Sequence, residues 1–162
     1  MSLATALLLA ALPFGLGSGT NALAKGESIS VAARRCDMDR KEGVVLFDGR
    51  VRVDYEPGYT LFADRVFALF SGTNELERLV AVGHVAITNE ARVGACDRAV
   101  FWRKTGEIEM TGEEGGELAR LADGSANAMA GRKMKFWLKK EQVEITGAEL
   151  FVSKDGRSVK DL

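Results

Sequence analysis

The sequence predicts an all-β fold built from about four repeats of short antiparallel strands. A phrase made of a small-polar opening, a charged turn, an alternating strand and a glycine returns every 30 to 34 residues. Period-two alternation of apolar and polar residues dominates the chain beyond residue 24. Glycine is frequent, at 18 of 162 residues, while only one proline, Pro57, lies beyond residue 24. Glycine admits the tight turns and bulges that let a sheet bend sharply.

Residues 1–24 carry no charge, and residues 3–16 are almost wholly apolar. Ala22-Leu23-Ala24 supplies a small-x-small cleavage site, so residues 1–24 read as a secretory signal cleaved after Ala24. The apolar run is too short for a bilayer core of roughly 30 Å. No Lys or Arg precedes it, which departs from the usual basic start. The alternative reading is a buried N-terminal strand or helix. Residues 25–152 then form the folded domain, and the polar residues 153–162 a frayed tail.

The repeated phrase first reads Ala33-Arg34, Lys41-Glu42-Gly43 and Gly49-Arg50-Val51, then Ala63-Asp64, Gly72-Thr73-Asn74 and Gly83-His84-Val85. It continues as Cys96-Asp97, Lys104-Thr105-Gly106 and Gly112, and ends as Ala130-Gly131, Lys139-Lys140-Glu141 and Gly147. The opening residue and the closing glycine lie 16, 20, 16 and 17 residues apart. Stacked copies of one unit often build a long surface or groove rather than a point-like site.

Within each copy the strands are legible. Val51-Arg52-Val53-Asp54-Tyr55, His84-Val85-Ala86-Ile87, Glu107-Ile108-Glu109-Met110 and Gln142-Val143-Glu144-Ile145 alternate, as strands with one buried face do. Val44-Val45-Leu46-Phe47 and Val66-Phe67-Ala68-Leu69-Phe70 are apolar on both sides; their shortness and nearby turns favour strand over helix. Pro57-Gly58 suits the centre of a type II turn. Residues 113–130 hold Gly115, Gly116 and Gly124, which weaken a helix, so the segment reads as loop, strand (Leu118-Ala119-Arg120-Leu121) and loop. Regular strand spacing of this kind suggests a sandwich, barrel or jelly roll. A repeat stacked along an axis leaves an edge strand at each end, open to pairing with another chain.

Charge and motif content exclude several function classes. All 22 basic and 23 acidic residues lie beyond residue 24 and are interleaved, so no basic face for nucleic acid is expected. Cys36 and Cys96 fall at different repeat positions, and two small half-buried thiols are favoured over a disulfide. His84 is the sole histidine and follows a glycine in an alternating strand, which suits an exposed rim. No nucleophile elbow, metal-ligand spacing or phosphate-cradling motif accompanies it. Asp37, Asp39, Asp64 and Asp97 are candidate acid/base carboxylates, yet Asp64 and Asp97 occupy equivalent repeat positions, as turn or rim residues would. The chain reads as a non-enzyme that needs no cofactor and no metal.

The repeats resemble the OstA-like domain of the LptA family of lipopolysaccharide-transport proteins, shared with LptC and the LptD N-terminus. The matching stretches are Phe47-Asp48-Gly49-Arg50-Val51-Arg52-Val53, Leu61-Phe62-Ala63-Asp64-Arg65-Val66 and Val80-Ala81-Val82-Gly83-His84-Val85-Ala86-Ile87. Glu109-Met110-Thr111-Gly112 and Glu144-Ile145-Thr146-Gly147 add weaker ones, and the likeness spans residues 29–152. The family often has Asn after the glycine, where this chain has Arg50 and His84.

The resemblance implies a twisted, partly open β-jellyroll that binds acyl chains of lipopolysaccharide (lipid A) without catalysis. It also implies residence in the periplasm. Domains of this kind join edge strand to edge strand into a bridge from inner to outer membrane. An LptC-like partner is expected at the N-terminal end, an LptD-like partner at the C-terminal end, and head-to-tail copies of the chain between them. The expected groove-lining residues are Val51, Val53, Leu61, Ala63, Val80, Val82, Val85, Ile87, Phe101, Ile108, Phe136, Val143 and Ile145. A slip of one residue would turn any of these strands over. Two other readings stay open: a membrane-tethered LptC-like component, and a secreted structural β-repeat protein with a dry core.

Overall fold

The structure is a computed structural model, and it describes residues 6–8, 28–56, 58–72, 74–123, 127–140 and 142–151. Most of the expected signal segment and the C-terminal tail lie outside the described residues. Among those described there is no helix; the elements are β1 (Ala6–Leu8), β2 (Ser28–Ala33), β3 (Arg35–Asp39), β4 (Val44–Glu56), β5 (Tyr59–Phe70), β6 (Leu76–Thr88) and β7 (Arg92–Trp102). These are followed by β8 (Glu107–Thr111), β9 (Ala119–Asp123), β10 (Ala128–Gly131), β11 (Lys133–Trp137), β12 (Val143–Thr146) and β13 (Glu149–Phe151). Every pairing is antiparallel, within one continuous 13-stranded sheet.

The sheet is folded over on itself. The first half of β4 pairs with β3 and its second half with β2. Likewise β7 pairs with β9 through residues 92–95 and with β8 through residues 98–102. The long strands β4 to β7 therefore cross a corner and serve both layers. One layer, A, holds β3, residues 44–48, 65–70, 76–82 and 98–102, then β8, β11 and β12. The other, B, holds β1, β2, residues 51–56, 59–63, 85–88 and 92–96, then β9, β10 and β13. Layers A and B face each other as a β-jellyroll.

The repeat found in the sequence is this corner. Register breaks between Asp48 and Val51 on β4 and between Val82 and Val85 on β6, where Gly49-Arg50 and Gly83-His84 each oppose a single residue of the next strand. Gly49 and Gly83 have φ of 85° and 81°, and Arg50 and His84 follow at 48° and 47°. Two consecutive left-handed residues make the bulge that turns the strand. An Asn would adopt this conformation more readily than Arg or His, yet the geometry persists here. Arg34, between β2 and β3, donates its N–H to the Gly49 carbonyl at 3.0 Å, and Arg132, between β10 and β11, bonds Thr146 in the same way. The fourth repeat thus opens on Gly131-Arg132, one residue later than the sequence suggested.

Alternation then fills the space between the layers. Val45, Phe47, Val66, Ala68, Leu79, Ala81, Ala99, Phe101, Ile108, Met110, Met134 and Phe136 point inward from A. Ile29, Val31, Val51, Val53, Ala63, Val85, Ile87, Ala119 and Leu121 answer them from B. No polar or charged residue is buried among those described. The runs that are apolar on both sides are strands, as expected; their burial alternates, and Leu46 and Phe67 pair on the outer face of layer A. Residues 113–130 contribute β9 and, where a second loop was expected, the start of β10. The β4–β5 turn closes by the Gly58 N–H to the Tyr55 carbonyl at 2.9 Å, while Pro57, expected at its centre, lies outside the described residues.

Candidate functional site

An apolar groove runs between the layers, away from the corner. The two layers are joined by backbone only through the corner row. Opposite it the strands reverse, and among the described residues no strand pairing bridges the layers there, so the groove has a mouth. Tyr55 of layer B meets Phe101 of layer A there, with ring centroids 5.5 Å apart and planes tilted by 52°. Behind them lies a cavity of about 40 Å³ lined from B by Ile29, Val53, Tyr55, Tyr59, Leu61 and Ile87. Leu79, Ala99, Phe101, Ile108 and Leu138 line it from A. A smaller space of about 10 Å³ is lined by Tyr59, Ile87, Gly94, Leu121 and Phe136, with Asn89 and Arg92 at its polar side.

The expected groove residues separate into several groups. Val53, Leu61, Ile87, Phe101 and Ile108 line the larger cavity, and Ile87 and Phe136 the smaller. Val51, Ala63 and Val85 also point inward, but they sit beside the corner, where the layers are in tight contact. Val143 and Ile145 are half-buried on β12 against the same core. Val80 and Val82 are corrected. They face outward from layer A, while Leu79, 5% exposed, and Ala81, 1% exposed, take the inward positions. Leu79, Val80, Ala81 and Val82 are all apolar, so the run gave no sign of which alternate pair faces in.

Six cavity residues were missed: Ile29, Tyr55, Tyr59, Leu79, Ala99 and Leu138. Tyr55 and Tyr59 pair across the β4–β5 turn; the alternation of Val51, Val53 and Tyr55 was the signal that could have found Tyr55, whereas no period carries across the reversal to Tyr59. Leu138 follows β11 in a turn, held by its N–H to the Gly106 carbonyl at 3.0 Å.

Outside the corner lies a polar ridge. Arg65 Nε donates to Asp48 at 2.9 Å, and the His84 ring nitrogen Nδ1 meets Asp64 Oδ2 at 2.8 Å. The Asp64 hydrogen bond and charge push the His84 pKa up. His84 is 92% exposed, which places it on a rim and away from any catalytic pocket. Asp64 and Asp97 each face a bulge of β6, so they are corner residues, not an acid/base pair. Both cysteines are free: Cys36 is exposed on β3 and Cys96 half-buried on β7, where burial pushes its thiol up to about 12.

Residues 30–142 match the sequence profile described as "LptA/(LptD N-terminal domain) LPS transport protein". The chain belongs to this family of lipopolysaccharide-transport proteins. Among solved structures, it is similar to LptH from Pseudomonas aeruginosa, the LptA-homologous periplasmic component of a lipopolysaccharide transport device. The TM-score is 0.68 at 14% identity, over 79% of this chain and 96% of that one, which establishes a shared fold. A comparison with curated proteins gives no significant match. The family is one of transport proteins, not of enzymes.

Proposed function

We propose that the protein is a periplasmic carrier that holds the acyl chains of lipopolysaccharide between its two layers. It passes them from the inner toward the outer membrane along domains joined edge to edge. The observation that carries this reading is an interior with no buried polar residue among those described, reached through a mouth that no strand pairing among them closes. Each buried CH₂ of a chain is favoured by about 0.8 kcal/mol over water. A wall without buried polar groups holds such a chain without fixing its register, so the chain can slide.

The free space is small. A cavity of about 40 Å³ has room for only a few waters, at about 10–15 Å³ each, and is far smaller than an acyl chain needs. Loading therefore needs the layers to part at the mouth, with the corner as hinge and Tyr55, Tyr59 and Leu138 displaced. Edge strands supply the contacts between domains. Among the described residues β3 pairs only with β4, β12 only with β11, and β13 only with β10. Their outer backbone groups suit β-strand addition. Cleavage after Ala24 would remove β1, which pairs with β2, and free that edge as well. In this reading an LptC-like protein docks at the β2–β3 end and an LptD-like protein at the β12–β13 end, with further copies of the chain between.

The test is site-specific photocrosslinking in cells, with the probe at Val53, Ile87, Phe101 or Phe136 and with Arg52 and Glu144 as outward controls. Lipopolysaccharide adducts at the inward sites alone are expected. No adducts at any site on an exported, folded protein would refute the carrier.

A further inference from the structure

We infer that one lip of the groove is a binding site for the anionic, phosphate-bearing headgroup of the amphiphile whose chains enter between the layers. The inference rests on the carrier reading above and adds the headgroup chemistry and the lip that recognises it.

Both layers end at the mouth, and their lips differ in charge. On the layer-A lip, the β7–β8 turn carries Arg103 and Lys104, and the turn after β11 carries Lys139 and Lys140. Backbone bonds lock these turns side by side: Gly106 N–H to the Trp102 carbonyl at 2.8 Å, and Leu138 N–H to the Gly106 carbonyl at 3.0 Å. Lys104, Lys139 and Lys140 are exposed and Arg103 is half-buried. Lys140 Nζ lies 5.8 Å from the Trp137 ring centroid, so that cation is steered by an aromatic face. Among the described residues, two acids neighbour this lip. Glu107 is turned to Lys135 at 3.6 Å on the outer face of the layer, and exposed Glu77 stands beside Arg103, whose N–H donates to the Glu77 carbonyl at 3.1 Å, so the lip keeps a basic excess through Lys104, Lys139 and Lys140. The layer-B lip opposite carries exposed Glu56 and Asp123 at the ends of β4 and β9 and Glu90 in the β6–β7 turn, against one exposed cation among the described residues, Arg92, which stands in register with Asp123.

The cations continue directly from the cavity wall. Phe101 and Leu138 line the cavity, and Arg103-Lys104 and Lys139-Lys140 follow them within three residues. A chain held against Phe101 and Leu138 thus brings its polar end to the basic lip. Lys and Arg side chains suit phosphate oxygens, and the acidic lip disfavours the reverse placement. The mouth therefore orients the ligand: chains inward, phosphates on layer A.

The test measures uptake of two probes by the exported chain, using native mass spectrometry: hexa-acylated lipid A with its phosphates, and the same lipid dephosphorylated. The wild type should prefer the phosphorylated form by roughly tenfold, the sum of several exposed charge contacts, and added salt should reduce that preference. The quadruple variant Arg103→Gln, Lys104→Gln, Lys139→Gln, Lys140→Gln should take up both probes equally. The double variant Lys139→Gln, Lys140→Gln should fall between, and it guards against a folding defect in the larger change. Equal preference in wild type and variants would overturn the lip assignment and leave the carrier intact. Uptake of neither probe by the wild type would overturn both.

Discussion

Gly83→Ala tests whether the corner sets the stability of the domain. Gly83 has φ of 81°, a conformation that costs an L-residue about 1–2 kcal/mol. Restricting the unfolded chain returns only about 0.4–1 kcal/mol of that. The added methyl would also stand 2.5 Å from Asp64 Oδ2 and 3.1 Å from Asp64 Cβ. The carboxylate can swing into solvent, but its Cβ is fixed by the strand, so β5 and β6 must separate slightly at the fold line. The net loss is about 1–2 kcal/mol, a fall in Tm of roughly 3–10 °C for a domain of this size. Thermal unfolding followed by circular dichroism reads it directly. Asp64→Gly in the same background removes the clash and leaves the backbone cost, so a double-mutant cycle separates the two. A Gly83→Ala protein that melts within a degree of wild type would refute the argument that this bulge requires glycine.

Three further outcomes follow from single observations. Leu79→Ala should cost about 2–5 kcal/mol in urea unfolding and Val80→Ala far less, because only Leu79 faces inward; the reverse order would restore the original face assignment. The His84 pKa, followed by NMR, should lie above 6.5 and fall toward it in Asp64→Asn. Since the folded value is raised, any stabilisation from this pair is present below pH 6.5 and lost as pH rises through the folded pKa. Iodoacetamide should label exposed Cys36 long before Cys96, whose thiol is half-buried and held protonated; equal rates would contradict the placement of β7.

The fold was legible because two periods coexist in the chain. Alternation marks strands such as residues 51–55, and the recurring glycine marks the line where each strand bends. Hidden from the sequence was the inward face of β6, whose residues 79–82 are apolar on both sides. The groove was legible where a polar neighbour flags the outer face, as Arg52 does for Val53 and Glu107 and Glu109 do for Ile108. It was not legible at Leu138, which reaches the mouth from the turn after β11; Tyr55 continues the alternation of Val51 and Val53 and could have been read from it. Alternation says nothing about a residue beyond the last ladder pair. The fourth repeat was misplaced by one residue for a related reason: Ala130 and Gly131 are both small, and only the Arg132 N–H bond to Thr146 fixes which residue stands at the corner.

A sheet creased along a row of bulges has two dimensions that vary independently. Residues counted from the crease to the turn fix how deep the groove is, and five or six of them reach roughly 16–20 Å at about 3.3 Å each. The number of strands laid side by side fixes how long it is, at about 4.8 Å per strand. A docked edge strand from another domain lengthens the trough by the same step as a strand of its own. The crease in β4 and β6 makes depth a property of the single chain, and strand addition at β3 or β12 leaves length to the assembly.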